Sequence, residues 1–226
     1  MRKVIAMTMV SLDGVMQAPG GPEEDPTGGF KFGGWVFNYW GEDEALQQVM
    51  GSVFEKPFDL LLGRKTYEIF AAHWPYIGDD SEHAPIARAF NTTTKYVATN
   101  SLKELTWQNS VILRGNVAAE VLQLKQQNGP DLLIQGSSVL IQTLLANDLI
   151  DEFKLLIFPL LLGHGKRLFG DGAKSAALTL VDSKTSTTGV TINTYHPAGA
   201  VSPGSFALDK PTDAEMARRE KMKREN

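Results

Sequence analysis

The sequence predicts an α/β fold: a mostly parallel central sheet with antiparallel C-terminal strands and flanking helices. Three observations carry this. Short apolar runs without polar alternation, such as FDLLLG at 58–63 and DLLIQG at 131–136, read as strands covered on both faces. They alternate with segments of helical spacing in the βαβα order that parallel strands require. Near the C-terminus the alternation stops, and LTLVDSKTS and GVTINTYHP read as an antiparallel pair joined near Thr188-Gly189.

The elements follow in order. KVIAMTMV at 3–10 is the first strand. Its cationic start faintly mimics a signal peptide, but the run is short, carries Thr8 and Ser11, and stops at Asp13 without a small-residue cleavage site. Residues 17–41 are rich in Gly, Pro and aromatics, and are either a lid or pocket wall, or a loop packed on the core or at a dimer contact. Residues 43–55 have helical spacing, with Leu46, Val49, Met50 and Val53 on one face. KTYEIFAAHW is a helix ended by Pro75, and 84–91 is another. TKYVAT and VILRG are strands. Asn116 caps the helix NVAAEVLQLKQQ, which Gly129 terminates. DLLIQG, the helix SSVLIQTLLAN and the long strand LIDEFKLLIFP complete the alternating part. No internal linker divides residues 1–197. Residues 198–226 form a C-terminal extension, charged and helix-prone without an apolar stripe, which is a mobile tail or an arm over a partner.

Composition narrows the function classes. The 226 residues carry a net charge of −4, which gives a nucleic acid no broad basic surface. The absence of cysteine removes disulfides, thiolate nucleophiles and thiolate metal sites, and fits a reducing compartment. FKLLIFPLLLG is too short to cross a membrane and Pro159 interrupts it. His73, His83, His164 and His196 lack metal-ligand spacing, so no metal is expected. The expectation is a soluble cytoplasmic protein acting on a small molecule, without nucleic acid or membrane.

Three strand-to-helix junctions share one design: LLLG meets RKT, VILRG meets NVAAE, and LLIQG meets SSVL. Each sets a glycine at the carboxyl end of a strand and a helix start after it, where free N–H groups and the helix dipole favour an anion. Hydroxyls at Thr66, Ser137 and Ser138, and the strand end Thr99-Asn100-Ser101, suit a ligand with several phosphates. Neither GxGxxG nor GxxxxGK[ST] is present. Arg64-Lys65 would suit an extra monoester phosphate such as the 2′-phosphate of NADP, or is an exposed basic turn.

The segments SLDGVM, LLLGRKTYE, LLIQGSSVLIQTLL and LIDEFKLLIFPLLLGHGKRLF resemble the dihydrofolate-reductase-like superfamily, in its branch of RibD C-terminal reductase domains and their stand-alone bacterial relatives. The resemblance covers roughly residues 1–197 and implies a three-layer fold and NADPH as cofactor. It implies that Gly63, Arg64, Lys65 and Thr66 hold the adenosine phosphate and pyrophosphate, and that Thr99, Asn100 and Ser101 lie beside the adenosine ribose. Gln135, Gly136, Ser137 and Ser138 would form the second phosphate clamp, with Gly-Ser where dihydrofolate reductases have Gly-Gly. Thr8, Asp13 and Met16 would flank nicotinamide and substrate. Trp35 in the aromatic segment, with Phe158, Pro159, Gly163 and His164, would contribute to the substrate pocket. Asp13 is a proton donor or a loop-fixing carboxylate; His164 faces substrate or the loop surface. Asp43 or Glu44 falls near the position of the carboxylate of dihydrofolate reductases, but in a polar first turn where acids serve the helix dipole. The cysteines and HxE signature of the deaminase domain that accompanies the riboflavin-pathway reductase are absent. The implied activity resembles 5-amino-6-(5-phosphoribosylamino)uracil reductase. A non-catalytic nucleotide-binding protein and a true dihydrofolate reductase are the alternatives. Relatives in this branch commonly pair, so a homodimer is expected.

Overall fold

The computed structural model describes residues 1–41 and 44–225, and omits the side chains at 45, 49, 50, 53 and 54. The strands are β1 (Val4–Ser11), β2 (Phe58–Gly63), β3 (Lys95–Ala98), β4 (Ser110–Leu113), β5 (Asp131–Ile134), β6 (Glu152–Phe158), β7 (Leu178–Thr185) and β8 (Thr191–Pro197). The helices are α1 (Phe37–Trp40), α2 (Glu44–Phe54), α3 (Arg64–Ala71), α4 (Ala84–Thr92), α5 (Val117–Gln126), α6 (Ser138–Ala146) and α7 (Asp213–Glu225). One eight-stranded sheet has the order β4-β3-β2-β5-β1-β6-β8-β7, and β8 alone runs against its neighbours. The expected mostly parallel sheet with antiparallel C-terminal strands is what forms.

The continuous apolar runs are strands because both faces are covered. Leu60, Leu61 and Leu62 have no exposed surface: Leu60 and Leu62 pack with Tyr67 of α3 and Phe90 of α4, while Leu61 joins Val121 of α5 and Ile141 of α6. The sheet is thus the middle of three layers, with α2, α3 and α4 on one face and α5 and α6 on the other. Leu46 of α2 is fully buried as expected; the rest of its predicted apolar face lies outside the described side chains, and Asp43 lies outside the described residues.

Two expected boundaries differ. The α3 helix stops at Ala71, ahead of Pro75, and Trp74–Tyr76 form a separate 3₁₀ turn. Pro75 lacks the N–H that would bond to Ala71 O, so the α-helical ladder ends there. The α5 helix keeps its Asn116 cap, whose Oδ1 accepts from Ala119 N at 3.2 Å, but ends at Gln126 because Gln127 is already extended. Gly129 has a different use: a Cβ there would stand 3.3 Å from the Arg2 guanidinium.

The amino ends of the strands are closed by buried charge. Arg2 pairs with Asp59 and lies 5.4 Å over the Tyr96 ring. Lys125 Nζ sits 2.5 Å from Asp151 Oδ2, and the same oxygen accepts from Val4 N at 2.7 Å. Asp151 therefore fastens α5 to β1. Breaking a buried pair of this kind costs about 3–5 kcal/mol. Among the described residues no helix is long and apolar enough to cross a membrane, and no group of three or more acidic, His or Cys side chains is placed to hold a metal.

Lys95 is wholly buried without a carboxylate. Its Nζ donates to Asn91 O at 3.0 Å and Thr93 O at 2.9 Å, at the carbonyl end of α4, and lies 4.4 Å from the Trp107 ring. Burial pushes its ammonium down to about 8, against about 10.4 in an unfolded chain. Below pH 8 both states hold the proton and the fold bears the cost of the buried charge. Between those values only the unfolded chain keeps it, so this contribution to stability rises with pH, by about 3 kcal/mol across the window. Urea midpoints at pH 7.5 and pH 9.5 are expected to show this rise in the parent chain relative to Lys95→Met, in which it is lost. Parallel pH dependences in the two proteins would contradict it.

Candidate functional site

β2 and β5 are neighbours, yet the helices that follow them lie on opposite faces: α3 with Tyr67 on one, α6 with Ile141 on the other. Such a divergence opens a crevice outside the carboxyl ends of the strands, where α/β sheets take ligands. Here the two helix starts interlock. A Cβ on Gly63 would stand 2.6 Å from Ser137 Cβ and overlap its hydroxyl, and one on Gly136 would meet Thr66 Oγ1 at 3.3 Å. Gly63 is therefore required by contact, and Gly136 packs tightly against Thr66. Ser137 caps α6, its Oγ accepting from Leu140 N at 3.4 Å, and holds φ +93°, a conformation rare for a residue with a side chain. Such strain costs on the order of 1–3 kcal/mol.

The remaining predicted cofactor residues surround this crevice unequally. The Thr99 hydroxyl accepts from Ser101 N and Leu102 N, both at 3.2 Å, and closes the turn after β3. Asn100 Oδ1 accepts from Gly115 N at 3.1 Å and ties that turn to the third glycine junction. Ser138 opens α6, and Gln135 is half-buried at the end of β5. Arg64 is partly exposed and pairs with Glu68, Nη1 to Oε2 at 2.7 Å. Lys65 Nζ lies 3.2 Å from Thr27 Oγ1 of the long loop.

The segment after β1 is joined to the segment after β6. Leu12 N donates to Leu160 O, Met16 N to Lys166 O and Leu168 N to Gly14 O, at 2.8–2.9 Å. Asp13 fastens the same join, accepting from Ser11 Oγ at 2.6 Å, Leu162 N at 3.1 Å and Gly163 N at 2.8 Å. Burial alone would push its carboxyl up; these bonds outweigh burial and hold it below the ordinary carboxylate value. A carboxylate so held is ionised at neutral pH, and its geometry is that of a loop clamp. Thr8 stands two residues beyond the Ala6–Ile134 register, level with Gly136. It is buried, and its hydroxyl has no hydrogen-bond partner among the described residues. Buried hydroxyls are normally paired, so this one marks a point where a polar ligand atom fits.

The substrate-side candidates lie along the aromatic segment. Trp35 is buried, donates Nε1–H to Gln17 O at 2.8 Å and meets Phe158 edge-on at 5.2 Å. Phe158 has no exposed surface, with Tyr39 also edge-on to it, whereas Pro159 is exposed. Gly163 is left-handed at φ +78°, and exposed His164 rests edge-on against Phe30 and Phe32. Phe30, Trp35 and Val36 belong to the core cluster, so residues 17–41 are packed along part of their length, while Phe32 and Phe37 remain exposed. Glu44 is exposed in the first turn of α2, as a dipole partner would be.

Sequence reasoning passed over Gln17, Asp25, Thr27 and Lys166. Lys166 Nζ pairs with Asp25 and lies 2.9 Å from Thr27 Oγ1; Gln17 Nε2 donates to Asp25 O and Thr27 O, each at 2.8 Å. Burial would push Asp25 up, but the Lys166 and Thr27 bonds hold it below its ordinary value. The Lys166 ammonium, followed by burial, lowers Lys65. Lys166 lies in the matched GHGKRLF segment, which was a usable signal. Asp25 lies in a run without periodicity and offered none.

Comparison with known proteins identifies the family and supports the fold. The RibD C-terminal domain model matches residues 2–192. The uncharacterized protein YyaP of Bacillus subtilis is 28% identical over 199 residues, covering 86% of this chain and 95% of its own. YwjB of the same organism, also uncharacterized, is 25% identical over 183 residues, covering 81% and 91%. Among solved structures, a protein provisionally assigned to riboflavin biosynthesis from Shewanella sp. PV-4 superposes with a TM-score of 0.60 at 23% identity, covering 87% of this chain and 99% of its own. A pyrimidine reductase-like protein from Corynebacterium diphtheriae gives 0.52 at 13% identity, covering 87% and 92%.

The contact between the two helix starts yields a test. Gly63→Ala is expected to destabilise the fold by about 1–3 kcal/mol, the usual cost of overpacking. Gly63→Ala with Ser137→Gly, which clears the overlapping side chain, is expected to recover most of the melting temperature. Failure of the second change to rescue the first would show that the two junctions do not touch as described.

Proposed function

The chain belongs to the RibD C-terminal domain family, and from that membership and the crevice we propose that it is an NADPH-dependent reductase acting on a C=N or C=O bond of a small heterocycle. The reaction would resemble that of 5-amino-6-(5-phosphoribosylamino)uracil reductase. The interlocked glycine junctions at the β2–β5 divergence, with Arg64 and Lys65 at one helix start, carry this reading. They fit a phosphate-bearing cofactor: two helix amino ends brought together, and cations beside them.

When bound, NADPH would supply a hydride from its nicotinamide. The chain's own residues bind, orient and exclude water. Gly63, Thr66, Gly136, Ser137 and Ser138 would cradle the pyrophosphate, and Arg64 would leave Glu68 for the 2′-phosphate. Thr99, Asn100 and Ser101 would border the ribose, and Gln135 the far side of the clamp. The unpartnered Thr8 hydroxyl would meet the nicotinamide carboxamide, with Met16 beside it. Trp35, Phe158, Pro159, Gly163 and His164 would bound the substrate. The proton would come from solvent, because Asp13 is committed to the loop clamp and held ionised. The lack of cysteine suits work in the cytoplasm.

A homodimer is supported by β7, an edge strand whose residues are all exposed and which carries Leu178, Leu180 and Val181 at the surface. Light scattering after size exclusion is expected to give twice the chain mass and a smaller species for Leu180→Lys; a monomeric parent chain would remove the dimer.

Tryptophan quenching on titration is expected to show NADPH bound more tightly than NADH. Arg64→Ala should weaken NADPH by about 10-fold or more, in line with a charge-assisted pair, and NADH by less than about 3-fold. Equal losses would refute the 2′-phosphate role, and no binding of either nucleotide would refute the reductase.

A further inference from the structure

Beside the crevice, one charged cluster joins three separate parts of the chain. Lys65 is the second residue of α3, Lys166 follows the β6 turn, and Asp25 and Thr27 belong to the long loop. Lys166 Nζ pairs with Asp25 Oδ2; Lys65 Nζ stands 4.0 Å from Asp25 Oδ1 and 3.2 Å from Thr27 Oγ1. The Asp25 side chain is mostly buried, at 12% exposed, whereas Lys65 is 46% exposed. A loop carboxylate thus sits against the cation that the phosphate reading assigns to a nucleotide. The Gln17 side-chain amide holds the loop at this point, Nε2 donating to Asp25 O and Thr27 O, and its Oε1 also accepts from Lys166 N at 3.0 Å.

We propose that Asp25 is an internal competitor for Lys65: a phosphate of an arriving nucleotide must take this cation from the loop carboxylate, and Lys166 decides how strongly the carboxylate competes. The inference rests on the phosphate-seat reading above. One ammonium between two anions favours the closer and more highly charged. Lys166 is in direct contact with Asp25, so it neutralises the carboxylate and weakens its hold on Lys65. Without Lys166, the carboxylate falls to Lys65 alone. With Asp25 neutral, Lys65 is free for phosphate and Lys166 has no part to play. Asp25 thereby sets cofactor affinity and links cofactor arrival to the loop that carries Phe30 and Trp35.

The test is a double-mutant cycle read by NADPH titration. Asp25→Asn keeps an acceptor for Thr27 and is expected to tighten NADPH by about 3- to 10-fold, the scale of one partly screened charge contact. Lys166→Met is expected to weaken NADPH by about 3-fold or more in the parent chain. In the Asp25→Asn background it should change affinity by less than about 2-fold. Unchanged or weaker binding by Asp25→Asn overturns the proposal. So does a loss from Lys166→Met that persists beside Asp25→Asn, which would make Lys166 a direct phosphate ligand. Absence of NADPH binding by the parent chain removes the phosphate seat and this inference together, whereas tight binding indifferent to Asp25 removes the inference alone.

Discussion

The approach of two helix starts at neighbouring strand ends constrains the rest of this structure. Gly63 can carry no side chain because Ser137 occupies the space, and Gly136 packs less tightly against Thr66, where a Cβ would stand at 3.3 Å. This contact fixes where α3 and α6 begin, and each leaves the sheet toward its own layer. The crevice between them is therefore a consequence of chain connectivity. With a side chain at Gly63 the helices would have to separate, and the helix amino ends would no longer converge on one small anion.

The sheet is polarised by the same logic. Its amino ends are sealed by Arg2 with Asp59 and Lys125 with Asp151, groups that return backbone and charge to one another. Its carboxyl ends are joined by loops in which many polar groups are partnered, and near them the Thr8 hydroxyl of β1 has no partner among the described residues. A reductase needs rigidity at one end and access at the other, and buried ion pairs supply the first without touching the second. The two loop carboxylates divide between these demands. Asp13 accepts from two backbone N–H groups and one hydroxyl and fixes its turn. Among the described residues the Asp25 carboxylate meets two lysines and Thr27, whose hydroxyl and backbone N–H both donate to it, so most of its partners are side chains able to exchange.

Much of the fold was legible because burial writes itself locally. Leu60–Leu62 could be read as a doubly covered strand without knowing what covers it. Asn116 announced its helix start by type and position alone. Helix ends were less legible: α5 stops before Gly129, and that glycine answers to Arg2, more than 120 residues earlier in the chain. At the site, the glycine junctions were visible as a pattern, but their interlocking was not, since it depends on β2 and β5 being neighbours. Arg64 and Lys65 are adjacent in sequence and look equivalent, yet one turns to Glu68 along its helix and the other to Thr27. Asp13 could not be assigned a role from sequence, because the N–H groups that define it arrive from about 150 residues away. Asp25 had no pattern at all.

Ser137 shows how a local violation serves the site. A glycine would adopt this left-handed backbone at no steric cost. Here the serine hydroxyl caps α6 and its Cβ fills the space over Gly63. The side chain therefore holds the crevice to its width and aims the first N–H groups of α6, at the expense of backbone strain. Strain of this kind persists only where the surroundings enforce it, and the enforcing contacts come from the opposite helix start. The interlocked helix starts and the strained residue are one arrangement: relaxing Ser137 alone would leave Gly63 facing open space and α6 without its cap.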